Sequence, residues 1–354
     1  MTRSTVNKTQ VMELSRLQDL DWLIDRLAER RLVFVGENHD RYEDHLVQLA
    51  IIEGLQARGT SLAIGLECFQ QPFQPDLDAY VAGTIGESEL LRRAQYFDRW
   101  RFDYRLYRPL LSYAREHHIP LLALNLEREL TSKVGQVGIA GLGADERARI
   151  PAEIDRSDAD YRARLEGVFR QHPPEMQSDF EHFLEVQLLW DEGMAERAAG
   201  YLAAHPDRTL VVLAGGGHVE YGQGIPRRLQ RRLPVPAASV LNGRGRDPAP
   251  GVADFFLYPQ AVDLPPAGML GIMLDESPGG GGMLVKGFAE QSGAKDAGMR
   301  EGDRVVRIGD QPIAGYGDIR IALLDSARGQ SCRVDVVRPG DKGDQRLQLS
   351  VVLR

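Results

Sequence analysis

The chain has 354 residues, 43% of them hydrophobic and 27% charged, and a net charge of −8. That length points to two globular domains at ~100–200 residues each, and the acidic balance argues against nucleic acid as the main partner. The cysteines, Cys68 and Cys332 alone, exclude a disulfide framework and fit a reducing compartment, and no apolar run reaches the ~18 residues of a membrane span.

Leu14, Leu17, Leu20, Leu23 and Leu27 recur at helical spacing and predict an amphipathic helix. No basic start with an apolar core precedes Arg31, so the chain as written reads as cytoplasmic. Leu32 to Val35 is a strand-like run followed by Gly36, Glu37, Asn38 and His39. Leu46, Leu49, Ala50, Ile52 and Leu55 then mark a helix. A second strand, Leu62 to Leu66, runs into Glu67, and turn-rich and helical stretches extend to Ala94. The aromatic and basic segment Trp100 to Tyr107 leads into a helix through Leu110, Leu111 and Ala114. A third strand, Leu121 to Leu124, precedes Asn125, Glu127 and Arg128. A mostly helical stretch runs from Tyr161 to Ala204, broken at Pro173 and Pro174. The fourth strand, Leu210 to Ala214, ends in Gly215, Gly216, Gly217 and His218. Ala237 to Leu241 is a fifth, and Asp254 to Tyr258 an edge strand. Arg227, Arg228, Arg231 and Arg232 are expected on solvated helix faces. The alternation predicts an α/β domain with a mostly parallel sheet and helices on both faces.

Ligands bind outside the carboxyl ends of strands in such sheets. Glu37, His39, Glu67 and His218 all stand there and are expected to meet. They can ligate a divalent metal, act as general base and orienting acid in hydrolysis, or line a ligand pocket; spacing alone leaves these open. Cys68 reads as a structural half-buried cysteine. No Lys-Ser or Lys-Thr follows the Gly215 run, so it is not a P-loop; the glycines serve a tight strand exit or close ligand approach. Asp191 and Glu196 can line the pocket or pair with Arg197.

Composition shifts after Tyr258. The expected boundaries are 1–258 for the α/β domain, 259–266 for a Pro-punctuated linker, and 267–354 for a small Gly-rich, strand-rich unit. Its predicted strands are Leu270 to Leu274, Met283 to Phe288, Asp303 to Ile308, Arg333 to Arg338 and Gln345 to Leu353. Its helices are Ala294 to Ala297 and Asp318 to Ala327, and Gly279 to Gly282 is a hairpin loop. Three segments in order, Leu270 to Leu274, Ser292 to Met299 and Glu301 to Gly309, resemble a PDZ domain of the bacterial protease-associated form. The resemblance implies a sandwich-like β domain with a peptide groove. A peptide or protein C-terminus would add as a strand beside Ile272, Met273 and Leu274, its carboxylate received by N–H groups near Leu270 and Gly271. Packing on the first domain, or on a second copy, is the alternative role.

In the first domain, several motifs together resemble the ChaN-like haem-binding family of the Tiki, TraB and erythromycin esterase superfamily. They are Gly36 to His39, Gly65 to Glu67, Trp100 with Tyr104 to Leu110, Leu124 with Asn125, Trp190 to Glu196, and Gly215 to His218 followed by Gly224 to Pro226. The resemblance covers about residues 15 to 245 and implies bacterial haem binding linked to iron uptake, often in a homodimer with haem at the interface. It also implies an extracytoplasmic, membrane-associated setting. Haem needs an axial His, Cys, Met or Tyr; Tyr104, Tyr107 and Tyr221 lie in or near the matching motifs, with His39 and His218 as alternatives. Arg105 and Arg108 can pair with haem propionates or with Asp103. The superfamily associates residues matching Glu37, His39, Glu67 and His218 with hydrolytic or metal-dependent chemistry. Three readings follow: a haem-binding protein with a peptide module, a hydrolase using these four residues, and a non-catalytic adaptor.

Overall fold

The structure, a computed structural model, describes residues 16–173, 179–275, 281–340 and 343–354. Leu14, Pro174, Gly279 and Gly280 lie outside the described residues. In chain order the first part comprises α1 (Leu20–Leu27), β1 (Leu32–Glu37), α2 (Tyr42–Ala57), β2 (Leu62–Gln70), α3 (Gln74–Val81), α4 (Glu87–Arg93), α5 (Tyr96–Arg99), α6 (Tyr104–Glu116), β3 (Leu121–Asn125), α7 (Arg128–Val137), α8 (Ala144–Arg147), α9 (Ala159–Phe169), α10 (Phe180–Ala204), β4 (Thr209–Gly215), α11 (Ile225–Arg232), β5 (Ala237–Asn242) and β6 (Phe255–Leu257). The second part comprises β7 (Ile272–Asp275), β8 (Met283–Phe288), α12 (Gly293–Asp296), β9 (Arg304–Ile308), β10 (Gln311–Pro312), α13 (Tyr316–Ala322), β11 (Ser331–Arg338) and β12 (Gln345–Val352).

The first six strands form one parallel sheet in the order β3-β2-β4-β1-β5-β6. β4 enters late in the chain and inserts between β1 and β2, pairing Glu37 with Gly215 and Leu66 with Leu213. Side chains alternate across the sheet. Val33, Val35, Ile64, Leu66, Val211 and Leu213 face α1, α2 and α6, while Leu32, Phe34, Ala63, Leu210 and Val212 face α10 and α11. Both faces are covered, so the strands are continuous apolar runs. Each buried Leu, Ile or Val contributes roughly 1.5–3 kcal/mol over its exposed form.

α1 starts where Asp19 accepts a 2.8 Å bond from Trp22 N. Its apolar stripe is shorter than the leucine spacing predicts, because Leu17 is 74% exposed. The arginine cluster on α11 is corrected in part: Arg227 is exposed as expected and pairs with Asp158 at 2.6 Å. Arg228 is buried and ion-paired to the fully buried Glu192 of α10, and Arg231 and Arg232 close on the same carboxylate at 2.9 and 2.6 Å. A buried carboxylate requires such partners, so these arginines clamp α11 to α10.

The second sheet is antiparallel, ordered β12-β11-β9-β8-β7, with β10 on β9. Its core gathers Leu270, Val285, Val305, Ile308, Val334, Val336 and Val351. β7 begins at Ile272 rather than Leu270, because Gly271 takes φ +73° just before it. The helix predicted at Asp318 to Ala327 is α13, at Tyr316–Ala322; the Asp318 carboxylate accepts from Ala314 N and Gly315 N and starts it earlier. α13 joins the two parts. Ile321 and the following Leu324 enter the first part's core. Arg320 lies over Phe97 at 4.9 Å, Arg92 pairs with Asp318 at 3.1 Å, and Arg108 pairs with Asp325.

Candidate functional site

Three neighbouring strands end together. β1 delivers Glu37 and, two residues on, His39; β2 delivers Glu67; β4 delivers Gly215 and the tight turn Gly216–His218. Adjacent strands lie ~4.8 Å apart, so groups far apart in sequence become neighbours. Gly215 is required for this closeness: a Cβ there would stand 2.9 Å from the His39 ring. The same backbone donates its N–H to Glu67 Oε2 at 2.7 Å.

Two imidazole–carboxylate pairs result. His39 Nδ1 lies 2.8 Å from Glu37 Oε1, and Glu37 also accepts from Tyr107 OH at 2.7 Å and Gln48 Nε2 at 2.7 Å. His218 Nδ1 lies 2.6 Å from Asp191 Oδ1, its Nε2 is 3.4 Å from Glu67 Oε1, and Tyr161 OH donates to the other Asp191 oxygen at 2.5 Å. A carboxylate behind Nδ1 fixes the ring's orientation and tautomer.

Electrostatics follow from the packing. Burial alone would raise the Glu67 carboxyl, but the charge and hydrogen bond of His218, the charge of His39 and the Gly215 N–H outweigh it and hold it at about 2. Burial would lower His218, yet Glu67 and Asp191 drive it well above its ordinary value. His39 is also raised: burial opposes, and Glu37 and Glu67 win. Glu37 is lowered against its burial by His45, His39 and Tyr107. The centre is thus a set of buried acid–imidazole pairs in which the carboxyls are lowered and the facing imidazoles raised by one another.

Aromatic side chains wall it. Trp100 and Phe102 stand 4.8 and 4.9 Å from the His39 ring, and Trp190 stands 6.2 Å from His218. Between Trp100 and Phe102, Arg101 is held at φ +71°; past His218, Tyr221 is held at φ +60°. Both are non-glycine residues in left-handed backbone, the kind of strain that only over-determined surroundings maintain.

The structure therefore brings Glu37, His39, Glu67 and His218 together. Among the described residues no group of three or more His, Cys, Asp or Glu is arranged to hold a metal ion; these acids and imidazoles instead pair with one another. Two tyrosines proposed for haem are corrected. Tyr104 and Tyr107 are 0% and 2% exposed, and burial raises both phenols far above the usual range. Arg105 is likewise engaged, pairing with Asp103 at 2.8 Å and donating to the Pro265 carbonyl at 2.8 Å. Tyr221, by contrast, is 51% exposed, with the Arg164 guanidinium 5.8 Å from its ring and Gly217 and Gly222 leaving open space beside it. His218 is engaged by carboxylates at both ring nitrogens, whereas His39 Nε2 has no side-chain hydrogen-bond partner among the described residues. Asp191 is a positioning residue, and Tyr161 behind it was unmarked in the sequence. The Trp190-Asp191 pair within its motif was the available signal.

Residues 23–229, more than half of the chain, match the family described as haem-binding uptake, Tiki superfamily, ChaN. ChaN of Campylobacter jejuni, solved with cofacial heme, shares the fold with a TM-score of 0.56 at 19% identity, over 69% of this chain and 93% of that one. A mutant erythromycin esterase, EreC in its open conformation, aligns over 62% of this chain and 72% of that one at 18% identity, with a TM-score of 0.38. Protein RETICULATA-RELATED 5, chloroplastic, of Arabidopsis thaliana is 26% identical over an alignment of 268 positions that covers 67% of this chain and 35% of that protein. The chain thus spans about a third of that relative's length. No described helix is long and apolar enough to cross a membrane. With a matched segment that contains every strand-end acid and imidazole of the site, the chain belongs to the ChaN family of haem-binding uptake proteins in the Tiki superfamily.

Proposed function

We propose that this chain binds haem at the rim of the strand-end site, with Tyr221 as the iron ligand. One observation carries this reading: of the three tyrosines in the family-like motifs, only Tyr221 presents its phenol outward. Arg164, paired with Glu220 at 2.8 Å, stands 5.8 Å from its ring and keeps a guanidinium at the rim near where a propionate would lie. Bound haem would supply the iron centre that makes the protein an iron carrier; the chain supplies the ligand and the cation. A ligand mounted on an exposed turn leaves one porphyrin face uncovered, which supports a homodimer closing over it. Titrating the purified chain with hemin tests this. Wild type and Tyr104→Phe should give a saturable Soret band and hemin-dependent dimers in sedimentation, whereas Tyr221→Phe should lose both. A Soret titration unchanged in Tyr221→Phe would sink the assignment.

A second reading is hydrolysis, supported by the two carboxylate-backed imidazoles. His39, with Glu37 orienting Nδ1, would take a proton from water at Nε2, and the His218 imidazolium would stabilise developing negative charge. Hydrolysis lost in His39→Ala and His218→Ala with folding retained would support it; identical rates would reject it.

For residues 267–354 we propose a PDZ-type peptide module. β7 is a sheet edge, and between it and α13 runs a groove of about 350 Å³ lined by Leu270, Ile272, Leu274, Ile319 and Leu323. No described residue accepts from the N–H groups of Leu270 or Gly271. Extended peptides with a free carboxylate should bind more tightly than their amidated forms in fluorescence polarisation. Peptide binding without hemin uptake or turnover would leave the adaptor role.

A further inference from the structure

A cavity opens beside Glu67, walled by the same Trp100 and Trp190 that flank the imidazoles. It is a cleft of about 390 Å³ between α7, α10 and the end of α5, with the ends of β2 and β3 as its floor. That size lies within the range of small-molecule sites. Its walls are Trp100 on one side and Trp190 and Val186 on the other, with Leu126 beneath. Arg128, Thr131, Ser132 and Gly135 line it from one stripe of α7, and the missing Cβ of Gly135 keeps that wall low. Two indoles lining one cleft favour an aromatic, apolar body.

The rim is cationic. Arg99 and Arg128 both line the cleft. Arg99 is bonded to Glu129 at 2.9 and 3.1 Å and to Gln70 at 2.7 Å. Arg128 donates to the Asp98 carbonyl at 2.8 Å and reaches Glu129 only through its field, which with the Arg99 hydrogen bond lowers the Glu129 carboxyl. Two guanidinium groups thus share one carboxylate, leaving a single positive charge at the mouth. At the floor, Glu67 lies 3.4 Å from Nε2 of His218, whose Nδ1 faces Asp191 on the other side of the ring. Inside the walls, Asn125 Oδ1 and Trp100 Nε1 are buried without a partner among the described residues.

We propose that this cleft binds a planar apolar molecule bearing one carboxylate, seated between Trp100 and Trp190 with its carboxylate on Arg128. One unit of negative charge balances the rim, where a phosphate monoester would leave excess negative charge. The inference deepens the hydrolytic reading by naming the class of molecule brought to Glu67 and His218, yet binding is measurable without turnover.

The probes are 4-nitrobenzoate and its neutral isostere 4-nitrobenzamide. Both are planar, and their nitroaromatic rings quench indole fluorescence. The chain has three tryptophans, of which Trp100 and Trp190 line the cleft and Trp22 lies on α1. Calorimetry gives the affinities and tryptophan quenching gives the location. Wild type should bind the benzoate about tenfold more tightly than the amide, the value of a charge-assisted hydrogen bond. Arg128→Gln, at an exposed position, should fold normally and lose that preference, and Trp190→Phe should lose much of the saturable quenching. Equal affinities in wild type, a preference retained in Arg128→Gln, or no saturable binding of the benzoate would each overturn the proposal. Absence of ester hydrolysis would count against the hydrolytic reading alone and leave these binding results standing.

Discussion

Asp191 Oδ1 lies 2.6 Å from His218 Nδ1, joining the long helix α10 to the turn after β4 across 27 residues of sequence. The contact, with Glu67, raises the proton affinity of His218 and fixes the orientation of its ring. Replacing Asp191 with Asn keeps the shape and removes the charge. The His218 pKa should fall toward its ordinary value in an NMR imidazole titration, and stability should drop by about 2–3 kcal/mol in urea denaturation. An unchanged imidazole titration would show that Asp191 does not set the His218 charge.

The same cluster sets a pH dependence. His218 has a folded pKa raised above its ordinary 6.5. Its stabilising share is full below that value and is lost as pH rises through the folded pKa. Glu67 has a folded pKa of about 2 against an ordinary 4.5, so its share is full above 4.5 and is lost as pH falls toward 2. Thermal unfolding of wild type should therefore be highest between these limits and decline above pH 6.5. In His218→Asn the alkaline decline should be visibly shallower.

Gly215 permits the approach of His39 to the β4 backbone. In Gly215→Ala the new Cβ meets the ring at 2.9 Å, and either the ring or the strand end must shift. Overpacking of this kind costs about 1–3 kcal/mol. The His39 ring resonances should move while those of residues on β12 do not, which a heteronuclear NMR spectrum would report.

The joint between the two sheets rests on apolar contact more than on its ion pairs. Ile321 is buried in the first part's core, whereas Arg108 and Asp325 meet at the surface. Ile321→Ala should cost about 2–4 kcal/mol and separate the unfolding of the two parts in calorimetry. Arg108→Ala should cost about 1 kcal/mol or less and keep a single transition.

Much of the architecture was readable because it depends on local pattern. The apolar runs at Leu32, Leu62, Leu121 and Leu210 could only be covered strands, and acids or imidazoles directly behind them had to sit at one sheet edge. The misreadings share a cause. Arg228, Arg231 and Arg232 of α11 read as solvated because Glu192, their partner, is one helix away in space and far off in sequence. Tyr104 and Tyr107 carry the family-like motif, but their helix turns both rings into the core.

What the sequence determined by itself is the set of elements and the chemistry at their ends, since periodicity and turn residues act over a few positions. Only the tertiary structure decided the pairings. The late insertion of β4 between β1 and β2 sets His218 against Glu67, the packing of α10 supplies Asp191, and left-handed backbone turns Tyr221 outward. Those contacts depend on strand order and helix packing, which are set by the burial of whole faces rather than by any short run of residues.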